Sequence, residues 1–326
     1  MNPPEAPESR TVAVLIPCFN EAATIAKVVA DFRRVLPEAR VYVYDNNSTD
    51  ATADEARCAG ALVKREKRQG KGFVVAAMLA SVDADYYLMV DGDDTYPAEC
   101  AAELLRPLIA EEADMTVGQR LTDHTAASFR PLHVAGNKLV RNVINLIFRS
   151  ELGDVMSGYR AFTREVAEQL PVVASGFDVE TEMTLQLLYR GFVIQEIPVP
   201  YRERPAGSTS KLRTFHDGAL VLLKVLGIFK AYKPLTFFGG AALLASLAAA
   251  VPGISAVQAY LRTGQVGNVL EPVVAISLVL VGFMLATVGI TLHTVNFRIL
   301  ETTNVLSKQI QRAQRSAAST PPARPL

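Results

Sequence analysis

Asp91, Gly92 and Asp93 stand at the end of Tyr86–Asp91, a run (YYLMVD) with the length and composition of a strand. In extended chain, residues i and i+2 point the same way, so the two carboxylates can converge on one hard cation. Gly92 between them permits close backbone approach. Magnesium or manganese held in this manner keeps open positions for the oxygens of a diphosphate. The plain alternative is a turn with two solvated carboxylates. Asp45, at the end of a second strand-like run, favours the cation.

Such residues must be positioned by strands that end along one edge. Thr11–Pro17, Arg40–Asp45, Ala61–Arg65, Tyr86–Asp91 and Met115–Gly118 read as strands, the last closing the series. Helical spacing over Ala22–Val35, Thr49–Ala59, Gly72–Val82 and Pro97–Glu112 alternates with them. The last of these opens with proline, which suits a first helical turn. This alternation predicts an α/β domain whose mostly parallel sheet is covered on both faces. Ligands of such sheets bind beyond the carboxyl ends of the strands. Three polar clusters fall there: Pro17-Cys18-Phe19-Asn20-Glu21, Asp45-Asn46-Asn47-Ser48-Thr49-Asp50 and Asp91-Gly92-Asp93-Asp94. The glycine-rich dinucleotide fingerprint is missing after the first strand, which argues against a nicotinamide enzyme.

Composition narrows the class further. Half of the 326 residues are hydrophobic, enough for a core and too many for a disordered chain. Cys18, Cys58 and Cys100 have neither zinc nor redox spacing and fit a reducing compartment. His124, His133, His216 and His293 show no ligand spacing and read as non-catalytic.

Charge divides the chain. Residues 1–201 carry 20 basic and 29 acidic side chains; residues 202–233 carry 7 and 2; residues 298–326 carry 5 and 1. Between the basic collars, only Arg262 and Glu271 are charged in residues 234–297. Pro234–Leu261 and Pro272–Phe297 can each cross a hydrocarbon core of about 30 Å, which needs roughly 20 residues. The collars predict both termini in the cytoplasm and the connection outside. Residues 212–233 form a third lipid-facing candidate, an amphipathic helix carrying Lys224, Lys230 and Lys233. An ordinary packed helix is its alternative. The polar N-terminus, residues 1–10, is expected to be disordered and is no signal peptide. No basic stripe of nucleic-acid type occurs in the soluble part. The expected divisions are therefore 1–10, a catalytic domain over 11–211, an interfacial helix over 212–233, a two-helix anchor over 234–297 and a tail over 298–326.

The ordered motifs PCFNE, DNNSTD and DGDD, each at a strand end, resemble glycosyltransferase family 2, of the GT-A fold. Val117-Gly118-Gln119-Arg120 resembles that family's G-S-R segment. Asp154-Val155-Met156-Ser157-Gly158-Tyr159-Arg160 resembles its D-x-x-S-G-aromatic-basic segment. Arg204 followed by Gly207-Ser208-Thr209-Ser210-Lys211-Leu212 resembles its Arg-then-G-x-S-K-L ending. Together with paired C-terminal spans, these motifs resemble the polyprenyl-phosphate glycosyltransferases. Asn46 stands where many members have a second Asp, and Thr95 where mannosyl synthases have Gln.

The resemblance implies roles. Pro17, Phe19, Asn20, Glu21, Asp45 and Asn46 would hold the nucleoside. Asp91 and Asp93 would bind the ribose–diphosphate end and a Mg2+ or Mn2+ ion, with Asp93 the principal ligand. Arg120, Arg204 and Lys211 would hold diphosphate or acceptor phosphate, with Arg130, Lys138, Arg141 and Arg202 further candidates for the acceptor. Asp154 would orient the sugar or Arg160, or be structural. Bland alternatives stand beside these: Glu21 as a helix-start charge, Arg120 as a surface partner of Asp123, Lys211 as one membrane-surface cation among several. Glu180 and Glu182 lie two apart on a helical stretch, so at most one faces a site. Asn137–Arg149 reads as an acceptor-side helix near lipid, or an ordinary core helix.

The function implied is inverting, metal-dependent transfer of one hexose from a nucleotide sugar to polyprenyl phosphate at the cytoplasmic membrane face. A processive polysaccharide synthase would carry a Q-x-x-R-W motif, and this chain has no Trp. A non-catalytic nucleotide-sugar-binding protein would be expected to have a broken D-x-D. Glucose, mannose, N-acetylglucosamine and aminoarabinose donors would share these phosphate contacts, and a homo-oligomer is among the expected partners.

Overall fold

The computed structural model describes residues 10–121, 131–171, 179–202, 226–265 and 268–318. The chain divides into two compact units, Met1–Val221 and Leu222–Leu326.

The first unit is built on a seven-stranded sheet in the order β3-β2-β1-β4-β6-β5-β7. Its strands are β1 (Val12–Cys18), β2 (Arg40–Asp45), β3 (Leu62–Arg65), β4 (Tyr86–Met89), β5 (Met115–Leu121), β6 (Arg160–Thr163) and β7 (Ile194–Pro200). β1 pairs in parallel with β2 and β4, β2 with β3, and β5 with β7. β6 runs antiparallel between β4 and β5. The mostly parallel α/β sheet is thus the one expected, but Met115–Gly118 does not close it. β6 and β7 extend it, and β6 separates β5 from β4.

Alternation along β1 explains the two-sided core. Val14 and Ile16 pack with Val28, Val29 and Phe32 of α1 (Ile25–Val35) and Leu104, Leu105 and Leu108 of α4 (Ala101–Ile109). Ala13 and Leu15 point the other way. They pack with Val74, Val75 and Met78 of α3 (Lys71–Ser81) and Met183 and Leu187 of α7 (Val179–Arg190). In α1 the buried positions 25, 28, 29 and 32 repeat at helical spacing and make one apolar stripe. α2 (Thr52–Cys58), α5 (Pro131–Phe148) and α6 (Arg164–Gln169) complete the helices. Strand order reverses between β1 and β4, which opens a crevice at their carboxyl ends.

The second unit contains two helices long and apolar enough to cross a membrane, Pro234–Thr263 and Leu270–Thr303; the latter continues to Ala318. Residues 226–232 are also helical. The connection is shorter than the sequence suggested. Helix persists to Thr263, and Gly264 ends it at φ 69° with its N–H on the Tyr260 carbonyl at 2.8 Å. Left-handed backbone of this kind is most accessible to glycine. The helices form a hairpin through small residues: a Cβ at Gly289 would lie 2.9 Å from Phe238 Cβ, and one at Gly282 would lie 3.1 Å from the Ala242 carbonyl. Close approach of this type is how apolar helices associate without a hydrophobic driving force. Most of the interfacial helix expected over 212–233, together with Arg204 and Lys211, lies outside the described residues, as do Arg130 and the end of the tail.

Candidate active site

The ends of β1 and β2 are knitted together by short polar side chains. Asn20 adopts φ 55°. Its N–H donates to Ser48 Oγ at 2.9 Å, and its Oδ1 accepts from Thr49 N–H at 2.8 Å. Asp45, 6% exposed, accepts from Ser48 N–H at 3.1 Å. Asn46 turns its amide towards residues 66–70. Nδ2 donates to the Glu66 and Arg68 carbonyls at 3.2 and 2.7 Å, and Oδ1 accepts from Gly70 N–H at 2.7 Å. An Asp here could not supply the two donated bonds. Glu21 receives the first turn of α1 through its carbonyl, which accepts from Thr24 and Ile25. Pro17 and Phe19 belong to the same rim.

Facing this rim is the Asp91–Asp93 pair. Thr24 Oγ1 donates to the Gly92 carbonyl at 2.7 Å, and a Cβ on Gly92 would lie 2.7 Å from Cys18 Sγ. Only glycine lets the loop settle over Cys18. Asp93 is 2% exposed, and its Oδ1 accepts from the Thr95 backbone at 3.2 Å and the Thr95 hydroxyl at 2.6 Å. Asp91 abuts Gly158, where a Cβ would fall 2.3 Å from Asp91 Oδ2. The sequence reading gave no role to Lys71, the first residue of α3. Its ammonium bridges Asp91 and Glu180. Burial disfavours the Lys71 charge, but the two carboxylates outweigh it and raise its pKa. Lys71 thus links Glu180 to Asp91, and the Glu182 carboxylate, also buried, accepts from Gln186 Nε2 at 3.0 Å.

On the other flank Arg120, near the end of β5, holds Asp154 by two parallel bonds. Nε reaches Oδ2 at 2.6 Å and an Nη reaches Oδ1 at 2.9 Å. The guanidinium carbon lies 5.4 Å from the Tyr201 ring centroid. This fork–fork geometry fixes the plane of the guanidinium. Asp154 thus orients Arg120 rather than Arg160. Arg160 is fully buried and donates to the Ser157 and Val155 carbonyls at 2.8 Å each and to Thr184 Oγ1 at 2.9 Å.

Burial alone would raise the Asp154 carboxyl, but the Arg120 bonds outweigh it and hold it below its ordinary value of 3.8. A depressed carboxylate contributes stability above its unfolded pKa and loses it as pH falls through the lower folded value. Asp154 is then ionised and engaged throughout the neutral range. Asp154→Asn is expected to lower transfer without removing any limb of the rate profile above about pH 5. A limb near neutrality that vanishes in the variant would instead identify Asp154 as a base.

The remaining cationic candidates are dispersed. Arg202 lies 4.0 Å from Asp94 and 3.8 Å from Glu99. Lys138 is exposed on α5, where Arg141 donates to Asn142 at 3.0 Å.

This constellation sits in a chain whose residues 13–170 match the sequence profile of Glycosyl transferase family 2. Glycosyltransferase AglJ of Haloferax volcanii is 37% identical over 234 residues, covering 72% of this chain and 77% of the relative. The chain belongs to glycosyltransferase family 2. The dolichyl-phosphate hexose transferase of Haloferax volcanii is 32% identical over 210 residues, 64% of this chain and 90% of its own length. Among solved structures, glucosyl-3-phosphoglycerate synthase from Mycobacterium tuberculosis, in complex with Mn2+, uridine diphosphate and glucosyl-3-phosphoglycerate, superposes with TM-score 0.53. It covers 68% of this chain and 80% of that one at 23% identity, which establishes the fold. The expected GT-A-like architecture and glycosyltransferase activity are both borne out.

For this glycosyltransferase the donor set can be tested against a divalent ion. Two carboxylates, one of them almost fully buried, are hard-oxygen ligands of the kind magnesium and manganese take together with substrate phosphates. Among the described residues no three His, Cys, Asp or Glu side chains gather as a metal cluster. The pair fits a cation that takes further oxygens from a diphosphate.

Proposed function

We propose that this glycosyltransferase moves one hexose from a nucleoside diphosphate sugar to a polyprenyl phosphate. The observation that carries the reading is the carboxylate pair at the switch crevice of a chain that ends in two membrane-length helices. Relatives named dolichyl-phosphate hexose transferase and polyprenol monophosphomannose synthase support the acceptor class. The structural neighbour solved with Mn2+ and uridine diphosphate supports the donor class and the metal.

A lipid phosphate needs no general base. Its second ionisation lies near ~6, by analogy with phosphorylated side chains, so its oxygen is already anionic at neutral pH. That agrees with an Asp154 engaged by Arg120. The phosphate oxygen attacks the anomeric carbon in line. A new carbon–oxygen bond forms as the bond to the diphosphate breaks, its electron pair leaves with the nucleoside diphosphate, and the anomeric centre inverts. Asp91 and Asp93 would hold a magnesium or manganese ion, which supplies charge neutralisation for the diphosphate. Arg120, with Arg204 and Lys211, offsets repulsion between the two phosphate groups. Arg130, Lys138, Arg141 and Arg202 are the further acceptor-side candidates. Pro17, Phe19, Asn20, Glu21, Asp45 and Asn46 form the nucleoside rim, Asn46 by fixing residues 66–70.

Both termini are assigned to the cytoplasm, with residues 263–270 outside; a reporter after Leu326 that reads extracytoplasmic contradicts this. The decisive test of function uses purified full-length protein, polyprenyl phosphate, manganese and a panel of labelled nucleotide sugars. One labelled sugar on the lipid is expected. A long polymer, or no label in the lipid phase with any donor, overturns the reading.

A further inference from the structure

The backbone of residues 153–158 is gripped from several elements by side chains chosen for opposite tasks. At its start the Glu196 carboxylate, on β7, accepts from Gly153 N–H and Asp154 N–H, each at 2.6 Å. Further along, the Arg160 guanidinium takes the carbonyls of Val155 and Ser157. The Tyr96 hydroxyl accepts from Gly158 N–H at 3.1 Å. An acid thus holds the loop's donors and a base holds its acceptors. Gly153 leaves room for the first grip: a Cβ there would lie 3.2 Å from Glu196 Oε2. β7 lies parallel to β5, with Glu196 beside Val117 and Val199 beside Arg120. The strand carrying the clamp is therefore registered against the strand carrying the arginine. The loop delivers two things, the Asp154 carboxylate that grips Arg120 and the Gly158 backbone against Asp91.

We propose that Glu196 is a positioning residue for sugar transfer, clamping the N–H groups of Gly153 and Asp154 so that Asp154 aims Arg120. The inference rests on the proposed phosphate-binding role of Arg120. Its chemistry is specific to a carboxylate. Two neighbouring N–H donors require two acceptor oxygens, and Glu196 supplies one to each. In Glu196→Gln the side chain keeps its shape, but one end becomes an NH2 group that faces a donor and cannot accept. A displaced loop releases the fork–fork alignment of Arg120, and misplacement of up to about 1 Å costs rate on the order of 10- to 100-fold.

The test is a double-variant cycle on the full-length protein, with label transfer to polyprenyl phosphate as one readout and amide exchange at residues 153–158 as the other. Glu196→Gln is expected to lower kcat by about 10- to 100-fold and to speed exchange at Gly153 and Asp154. Arg120→Lys keeps a cation but loses the planar fork. In that background Glu196→Gln is expected to add no more than about a twofold further loss, because its effect passes through the arginine. A penalty that stays undiminished beside Arg120→Lys would assign Glu196 to sheet stability and overturn the inference. So would a Glu196→Gln protein with wild-type transfer. A silent Arg120→Lys is a different failure: it removes the assigned role of Arg120 itself, and the inference falls with it.

Discussion

Asp93→Asn is expected to lower sugar transfer by about 10²- to 10³-fold while the protein still folds. The two halves of that expectation have separate causes. Folding survives because an asparagine keeps the Thr95 contacts of Asp93. The Thr95 N–H and hydroxyl both donate to its Oδ1, and an asparagine oxygen in the same place still accepts them. Transfer falls because the full negative charge disappears from a site 2% exposed, where water cannot replace it. The charge that the buried carboxylate contributes towards a cation-bound diphosphate is thereby lost. Two measurements check this, label transfer to lipid and manganese affinity of the protein with nucleoside diphosphate. A folded variant with near wild-type transfer and unchanged manganese affinity would remove Asp93 from the site. Near-normal affinity with lost transfer would place Asp93 at the reacting end rather than on the ion.

Which parts of this were legible in the sequence follows from the range of the interactions involved. The polar ends of β1, β2 and β4 could be read because each lies within a few residues of an apolar run, and parallel strands bring their carboxyl ends to one edge. The β1–β4 crevice needed no further information. β6 was not legible as a strand. Arg160–Thr163 is four residues long, runs against its neighbours, and is stabilised by pairing that no local pattern announces. Tyr87 and Phe162, for instance, stack at 5.4 Å across that pairing. The carboxylates of α7 were half legible. Both side chains are buried, and which one meets the Asp91 end depended on Lys71, 109 residues away from Glu180. Asp154 was recognised by motif, yet its partner, Arg120, comes from another strand. A carboxylate's neighbours are fixed by the sheet order, and that order emerges only when β5 is displaced by β6. The Asn46 substitution shows the same limit. Its amide works as a loop clip because residues 66–70 return to β2, which a one-dimensional reading cannot see.

Lys71 carries the second large effect, and it was invisible for the same reason. Its local signal is only a cation flanked by Gly70, at φ 136°, and Gly72 at the start of a helix. In the fold it joins three elements: α3 through its own backbone, the end of β4 through Asp91, and α7 through Glu180. Lys71→Met is expected to destabilise the protein by about 1–3 kcal/mol. Breaking a fully buried ion pair costs roughly 3–5 kcal/mol, and the Lys71 side chain keeps 35% of its exposure, which screens part of the loss. Because its folded pKa is raised, this contribution is fully present below the ordinary lysine value near ~10.4 and is lost only as pH rises through the folded value. The stability difference should therefore be constant from about pH 6 to pH 9. Transfer is expected to fall about 10²-fold, since Asp91 loses its paired cation and the proposed diphosphate site loses a positive charge. A second substitution separates the two effects. In Lys71→Met with Glu180→Gln, one of the two carboxylates left without their cation is neutral, so part of the stability should return, as read by the melting temperature. Transfer should not return with it, because the ammonium is still missing. If the double variant recovers stability and transfer together, Lys71 serves only to neutralise Glu180. If it recovers stability alone, the ammonium belongs to the catalytic apparatus.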